Sequence, residues 1–251
     1  MSEATDLVRS RRLGWSLEQP FYVDPLYFQL DLDHVFRTGW LFAGHTCQIK
    51  EPGDYFCYDI ADDSLIIIRG NDRKVRALFN VCRHRGSLIC KVPKGHVKRL
   101  VCPYHQWTYD TDGSLLRNTW MPVDFVNDDF NLKQAYVKTV AGLIYVSLAD
   151  VAPAFAPEED LKSLLEPHGL ESAKVAYSET YDIAVNWNSS LRISGSVTTV
   201  PPNTKVTPKF SLTRTSITVT NRVRSRLGGT RVEKSGSQWA STYHWRTTVM
   251  Q

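Results

Sequence analysis

The sequence contains no apolar run long enough to cross a bilayer. Its longest apolar stretches, such as residues 65–68 and 140–146, are far shorter than the roughly 20 residues that a membrane helix needs. Residues 1–12 are also too polar for a secretory signal. We therefore expect a globular protein in the cytoplasm, without a membrane partner.

Cysteine is scarce, and the five cysteines make an odd number. A disulfide framework uses paired cysteines in an oxidising compartment, so this usage argues against one. Cys82 and Cys102 each lie shortly before a histidine, which favours metal ligation in a reducing compartment. The remaining cysteines are predicted to be free thiols: Cys47, Cys57 and Cys90.

Acidic residues are nearly absent from the last quarter of the chain. Residues 1–187 hold 20 Lys and Arg against 25 Asp and Glu, whereas residues 188–251 hold 10 against one. The net charge of +4 therefore comes from the tail, and it does not predict a nucleic-acid partner. A genuine basic arm, rich in Ser and Thr, is one interpretation of this tail.

The order of predicted elements indicates the α+β class. A chain of 251 residues can bury one large core or two modest ones. Asp24 and Pro25 predict the start of a helix over 25–37, and acids after Pro157 predict the start of another. Short β-branched and aromatic runs between turn residues predict an antiparallel β domain with strands at 54–58, 64–69, 75–80, 96–101, 115–116 and 143–146. A further strand is predicted at 175–185.

Two Cys/His pairs carry the strongest chemical signal. Cys82 and His84 are followed by Cys102 and His105, in the pattern C-x-H-x17-C-x2-H. Two thiolates and two neutral imidazoles can hold a 2Fe-2S cluster, with both sulfurs on one iron and both nitrogens on the other. The pattern therefore predicts two loop tips that clamp a cluster.

Neighbouring residues are expected to support these loops. Gly86 gives the first loop room to turn, and Pro103 stiffens the second. Trp107 is placed to cover a ligand ring, although a plain core aromatic is an equally good interpretation. Arg83 and Arg85 flank the first loop, where they either tune the cluster, dock a partner or belong to an ordinary solvated surface.

Zinc is the main alternative for the four residues. Structural zinc sites usually separate paired ligands by two to four residues, so a C-x-H pair is cramped for a tetrahedral ion. Four unrelated buried residues are the other alternative. Two separate pairs in matched order rarely arise by chance, and we favour the cluster over both.

The two ligand stretches resemble a known family. N-V-C-R-H-R-G-S at residues 80–87 and L-V-C-P-Y-H-Q-W-T-Y-D-T-D-G at residues 100–113 resemble the Rieske domain of ring-hydroxylating oxygenase large subunits. P-F-Y-V-D-P at 20–25 and W-L-F-A-G-H at 40–45 are most similar to the glycine betaine, carnitine and stachydrine monooxygenase group. The resemblance covers about residues 15–187. Arg85 and Tyr104, which lie within the two ligand stretches, complete the expected supporting residues of the cluster.

The resemblance implies a division of the chain. Residues 1–38 would be an N-terminal helical segment of the catalytic part, and 39–150 the antiparallel, all-β Rieske 2Fe-2S domain. Residues 151–187 would begin a helix-grip catalytic domain, which is incomplete here, and 188–251 would be an out-of-frame or disordered tail. The family's second cofactor is a mononuclear Fe(II) held by two histidines and a carboxylate. After His168 this sequence has only His244, so no catalytic residues are predicted in this chain.

The resemblance also implies partners and a reaction. A flavin- or ferredoxin-type reductase would supply electrons to a Rieske non-haem iron oxygenase, typically a homotrimer. The reaction would be O2-dependent hydroxylation or N-demethylation of a small molecule such as a quaternary ammonium compound. A Rieske-type ferredoxin that only carries electrons is the alternative. The additional helices and strand outside the β domain favour the oxygenase.

A reading-frame hypothesis explains the tail. We read the gene for residues 191–204 in a shifted frame, in which each new codon joins the last base of one codon to the first two bases of the next. In this frame the gene can encode the sequence E-N-F-R-E-C-Y-H-C-P-P-x-H. This resembles the family's iron-binding helix in another frame. We therefore predict that residues 188–251 are a frameshift product and that this chain alone is inactive. Sequencing the gene around codon 188 tests the hypothesis.

Overall fold

The computed structural model describes residues 2–12, 14–156, 158–183, 186–188 and 243–250. Three short helices come first: α1 (Ser2–Arg9), α2 (Pro20–Val23) and α3 (Pro25–Asp31). Asp24 caps α3, since its Oδ1 accepts the N–H of Leu26 at 2.8 Å. The chain continues as a π-helix over Leu32–Phe36. The helix predicted over 25–37 is therefore confirmed, although its second half is π-helical and not α-helical.

A large antiparallel sheet follows. Its strands are β1 (Leu41–His45), β2 (Asp54–Ile60), β3 (Asp63–Arg69), β4 (Val75–Phe79), β5 (Lys94–His96), β9 (Gln134–Val140) and β10 (Leu143–Ser147). Their order is β1-β10-β9-β4-β3-β2-β5, which leaves β1 and β5 at the edges. A small sheet is formed by β6 (Leu100–Val101), β7 (Thr108–Tyr109) and β8 (Leu115–Arg117).

The last elements are α4 (Glu158–Leu165), β11 (Val175–Ile183) and β12 (Tyr243–Met250). β11 and β12 pair with each other in an antiparallel ladder. The acids at the start of α4 favour its N-terminus, and Gly169 with φ 61° follows it in the left-handed conformation. The predicted α+β class with an antiparallel β domain is confirmed.

Strand β3 separates two hydrophobic cores. Side chains alternate along a strand, so Ile66 and Ile68 face one core while Leu65 and Ile67 face the other. The first core lies between the large and small sheets and contains Cys82 and Cys102 among its buried residues: Tyr55, Ile66, Ile68, Leu78, Cys82, Ile89, Cys90, Leu100, Cys102, Trp107, Tyr109, Leu115 and Leu132. The predicted ligand sulfurs are therefore part of this core.

One predicted strand was wrong, and four strands were missed. The strand predicted over 96–101 is divided, because β5 pairs with β2 in the large sheet whereas β6 pairs with β7 in the small one. Strands β1, β7 and β9 were not among the predicted strands. Strand β12 lies in the tail, where the sequence suggested no confident element. The frameshift hypothesis concerns residues 188–251, most of which lie outside the described residues.

Within the described ranges, none of the helices combines the length and apolar character required to span a membrane.

Candidate metal centre

The first predicted ligand loop follows β4. The N–H of Cys82 donates to the carbonyl of Ser87 at 2.9 Å, and the N–H of Gly86 donates back to the carbonyl of Cys82 at 3.0 Å. These two bonds close a tight loop with His84 at its tip. Gly86 has a φ of 72°, so the loop needs the left-handed conformation that glycine adopts without cost.

The second loop, between β6 and β7, closes in the same way. The N–H of Cys102 donates to the carbonyl of Trp107 at 2.9 Å, and the N–H of Gln106 donates to the carbonyl of Cys102 at 3.0 Å. Gln106 occupies the position of Gly86 and is also left-handed, with a φ of 60°. A non-glycine residue there is strained by ~1 kcal/mol. The two loops are thus repeated backbone structures, although their histidines lie at different distances from their cysteines.

The two predicted ligand sulfurs are sealed inside the first core. Cys82 is 2% exposed and Cys102 is 1% exposed. Burial raises the pKa of the Cys82 thiol, so a metal must displace its proton to bind a thiolate. The structure brings both thiols to the inner end of the site.

The two imidazoles face each other at the outer end. The ring centroids of His84 and His105 are 4.7 Å apart. Nδ1 of each ring is buried and has no hydrogen-bond partner in the part of the chain that the structure describes. Burial, the second imidazole and Arg85 lower the pKa of His84, which favours the neutral ring that binds metal. Two buried, unpartnered nitrogens opposite two buried thiols fit the donor set of a 2Fe-2S cluster.

Trp107 covers one of these rings. It is fully buried and lies nearly parallel to His84, with 9° between the planes and 4.8 Å between centroids. Phe125 and Phe130 contact its ring edge to face at 5.6 and 5.8 Å. This aromatic group keeps water away from the inner side of His84.

The remaining predicted supporting residues lie on the rim. Tyr104 is 61% exposed and its ring is 3.8 Å from that of His105. Arg85 and Pro103 are exposed. The exposed ring of Trp120, which the sequence did not single out, lies 6.3 Å from His105. The imidazole end of the site therefore opens onto a rim with two exposed aromatic side chains.

Sequence reasoning missed Tyr109. Its hydroxyl lies 3.3 Å from Sγ of Cys82 and accepts the N–H of Arg83 at 3.1 Å. Since the oxygen accepts from Arg83, its own O–H can donate to the sulfur. Burial and then Cys82 raise the pKa of Tyr109, so this donor keeps its proton. Tyr109 lies within the second ligand stretch, but it is 27 positions from Cys82, and no sequence spacing marks that contact.

Asn80 was also missed as a supporting residue. It is 1% exposed, and its Oδ1 accepts the N–H groups of Ile89 and Cys90 at 3.1 and 2.8 Å. Its Nδ2 donates to the carbonyl of Cys90 at 2.8 Å. The side chain thus ties the end of β4 to the chain that leaves the first ligand loop, and this fixes the base of the loop.

Among the described residues, no three His, Cys, Asp or Glu side chains are grouped as a site for a single metal ion. A two-iron cluster requires only two protein ligands on each iron.

A family profile for the Rieske [2Fe-2S] domain matches residues 39–126, which include both ligand loops. The chain contains a Rieske [2Fe-2S] domain. In the structure this domain comprises β1 to β8 with their connections.

The Rieske domain and its flanking residues have named relatives. The chain is 45% identical over 184 residues to the glycine betaine monooxygenase oxygenase subunit of Pseudomonas aeruginosa. This match covers 72% of this chain and 43% of the relative. It is 34% identical over 134 residues to the benzene 1,2-dioxygenase subunit alpha of Pseudomonas putida, covering 52% of this chain and 30% of that subunit. The chain thus spans less than half the length of these relatives.

A solved structure has a similar fold. This structure is of a quaternary ammonium Rieske monooxygenase, and its description refers to carnitine oxidation by gut microbiota and to inter-subunit electron transfer. It superposes on this chain with a TM-score of 0.61 at 26% sequence identity. The match covers 67% of this chain and 47% of that one. Over about two thirds of its length this chain is therefore similar to Rieske oxygenase subunits.

Proposed function

We propose that this chain is the electron-accepting part of a Rieske oxygenase subunit, with a 2Fe-2S cluster on Cys82, His84, Cys102 and His105. The observation that supports the proposal is the donor arrangement: two thiols buried in one core and two facing imidazoles with buried, unpartnered Nδ1 atoms. A bound cluster of this type supplies one-electron redox chemistry, at a higher potential than an all-cysteine cluster.

The protein residues would set the properties of the site. The hydroxyl of Tyr109 lies 3.3 Å from the sulfur of Cys82 and would donate to the thiolate form, which stabilises negative charge there. Trp107 holds the plane of His84 and excludes water. Asn80 and the paired backbone bonds keep the two loops in place before metal arrives.

Electron paramagnetic resonance of the reduced protein, with iron and sulfide quantified, tests this proposal. We expect two irons, two sulfides and a Rieske-type signal per chain. Cys102→Ala and His105→Ala should each abolish the signal, whereas Cys47→Ala, which changes a thiol outside the site, should retain it. Zinc, or a colourless protein after anaerobic reconstitution, would contradict the proposal.

An oxygenase subunit is favoured over a Rieske-type ferredoxin by contacts outside the Rieske domain. The indole Nε1 of Trp187 donates to Asp31 at 2.9 Å, and the amide of Asn186 donates to the carbonyl of Phe21 at 2.9 Å. Residues after the Rieske domain therefore pack against residues before it. A minimal electron carrier needs neither segment, and the named relatives are oxygenase subunits.

The catalytic iron site is proposed to be missing from these 251 residues. The two-histidine set of the family cannot be assembled after Trp187, because His244 is the one histidine there. We infer that residues 188–251 are a frameshift product and that the chain alone does not turn over. Iron quantification tests this, since a third iron per chain would contradict it.

Substrate and assembly follow by analogy with the relatives. We propose a quaternary ammonium compound as the substrate class of the intact protein, which would be oxidised with O2 by hydroxylation or N-demethylation. We further propose a flavin- or ferredoxin-type reductase as electron donor, a homotrimer as the assembly and the cytoplasm as its location. The restored reading frame, assayed for formaldehyde release from glycine betaine, tests the substrate class.

A further inference from the structure

The chain between the two ligand pairs is strongly basic. Residues 83–101 contain six Lys and Arg and no Asp or Glu, although residues 1–187 as a whole carry a formal charge of −5. The six cationic side chains are all exposed: Arg83, Arg85, Lys91, Lys94, Lys98 and Arg99. The positive charge of the Rieske domain is therefore concentrated beside its cluster site.

Most of these cations are unpaired. Arg99 pairs with Asp110 at 2.7 Å, and His96 on the same stretch pairs with Asp54 at 2.9 Å. The other five cations form no ion pair with any residue that the structure describes. We call these five residues the basic strip: Arg83, Arg85, Lys91, Lys94 and Lys98. Asp54 and Asp110, the acids bonded to this stretch, are paired with His96 and Arg99.

The basic strip is fixed relative to the ligand loops. The three lysines of the strip lie between Cys90 and Leu100 in the sequence. Both of these residues are buried in the same core as Cys82 and Cys102. Between them, β5 is an edge strand that pairs with β2 on one side alone. Arg83 and Arg85 flank His84 directly. A protein that binds the strip would therefore lie beside the first ligand loop.

Exposed aliphatic side chains accompany the cations. Val92 is 59% exposed, and Leu88 and Val101 are each 47% exposed. Apolar side chains surrounded by charge are typical of small protein interfaces, whereas a nucleic acid would mainly use the cations. The surface thus favours a protein partner with an acidic face.

We propose that the basic strip is the docking surface for an acidic protein that delivers electrons one at a time. This inference rests on the proposed function, since the strip matters only if a cluster is held beside it. Opposite charges raise the rate of encounter and orient the partner, and salt weakens both effects. Such electron-transfer contacts are small, so a few lysines can control them.

Stopped-flow reduction of the reconstituted full chain tests the inference. The probe is a reduced, acidic plant-type [2Fe-2S] ferredoxin at about 20 mM and about 500 mM salt. K94E/K98E should lower the second-order rate constant about tenfold at low salt, and the difference should largely vanish at high salt. The control K162E/K174E has the same charge change at exposed residues outside the Rieske domain. It should change the rate constant less than about twofold.

Several outcomes would overturn the inference. An unchanged rate for K94E/K98E, an equal loss in the control, or a loss that persists at high salt would each do so. Loss of binding to heparin or duplex DNA without a change in the reduction rate would assign the strip to nucleic acid instead. Dithionite, a small reductant, should reduce the cluster of every variant to the same final extent. Absence of a Rieske signal in the wild-type chain would instead count against the proposed function.

Discussion

Tyr109 shows how one hydroxyl can tune the site. Its oxygen accepts the N–H of Arg83 and lies 3.3 Å from Sγ of Cys82, so its O–H is the donor once that sulfur is a metal-bound thiolate. A donor at a ligand sulfur stabilises the reduced cluster, which carries one more negative charge. We expect Tyr109→Phe to lower the reduction potential by about 30–80 mV, since about 60 mV corresponds to 1.4 kcal/mol for one electron. A redox titration followed by electron paramagnetic resonance measures this change.

Tyr104→Phe is the matched control, because Tyr104 is exposed and contacts His105 through its ring. It should leave the potential within about 10 mV of the wild-type value. Equal potentials for Tyr109→Phe and the wild type would show that the hydroxyl does not donate to the sulfur.

His45 predicts a pH dependence of stability. It is fully buried, and its Nδ1 accepts the N–H of Cys47 at 3.0 Å. Burial lowers the pKa of His45 below its ordinary value of 6.5, so the unfolded chain takes up a proton first. The contribution of His45 is therefore present at neutral pH and lost as the pH falls below about 6.5, with a slope of at most ~1.4 kcal/mol per pH unit.

His45→Asn keeps an acceptor near the position of Nδ1 for Cys47 and removes the titration. We expect urea denaturation to show a smaller loss of unfolding free energy between pH 7.5 and 5.5 in this variant than in the wild type. The other histidines are common to both proteins, so their contributions cancel in the difference. Parallel pH profiles would contradict the assignment.

Among elements, the two ligand loops share one backbone design. Gly86 and Gln106 both adopt a left-handed φ, yet only the first position is glycine. An added Cβ at Gly86 would meet no atom within 4 Å, so any cost is conformational. We expect Gly86→Ala to lower the free energy of unfolding by ~1 kcal/mol, measured by urea denaturation.

Gly86→Asn should cost less than Gly86→Ala, because asparagine tolerates the left-handed conformation better. Gln106→Gly should be nearly neutral, since relief of strain offsets the greater freedom of the unfolded chain. If alanine and asparagine cost the same at position 86, backbone conformation is not the cause.

The ligand chemistry was easier to predict from sequence than the elements that hold it. Metal ligands must be particular residue types at close spacing, so Cys82, His84, Cys102 and His105 stand out. The strand predicted over 96–101 is divided because the chain bonds to the β2 region as far as Val97, whereas Leu100 and Val101 pair with β7. Contacts between residues far apart in sequence decide such a break.

Nonlocal contacts also explain the missed residues. Tyr109 reaches Cys82 across 27 positions, and Asn80 bonds to Cys90 across ten. Neither pairing has a fixed spacing that a sequence pattern could reveal. Strand β9 has a mixed polar and apolar sequence, and its burial depends on neighbouring strands.

For the whole molecule, Trp187 joins the two segments outside the Rieske domain. Its ring contacts Phe36 edge to face at 5.1 Å, and its Nε1 donates to Asp31. Burial raises the pKa of Asp31, so removing this donor leaves a partly buried carboxyl poorly satisfied. We expect Trp187→Ala to destabilise the N-terminal helices by ~2 kcal/mol and to speed their proteolysis.

The cluster signal should survive this change, because Trp187 belongs to neither core of the β domain. Asn188→Ala is the control, since Asn188 shares the carbonyl of Phe21 with Asn186 and its loss leaves that acceptor bonded. Simultaneous loss of iron and of helix protection in Trp187→Ala would show that the predicted segments fold as one unit.

The burial of the site is graded from one end to the other. Both thiols are enclosed by core residues, whereas His84 and His105 are half-buried behind the exposed rings of Tyr104 and Trp120. A bound metal pair would therefore have an inner and an outer atom with unequal access to water. Chelators and peroxide would reach the nitrogen-bound atom first, and damage would advance toward the sulfur-bound atom.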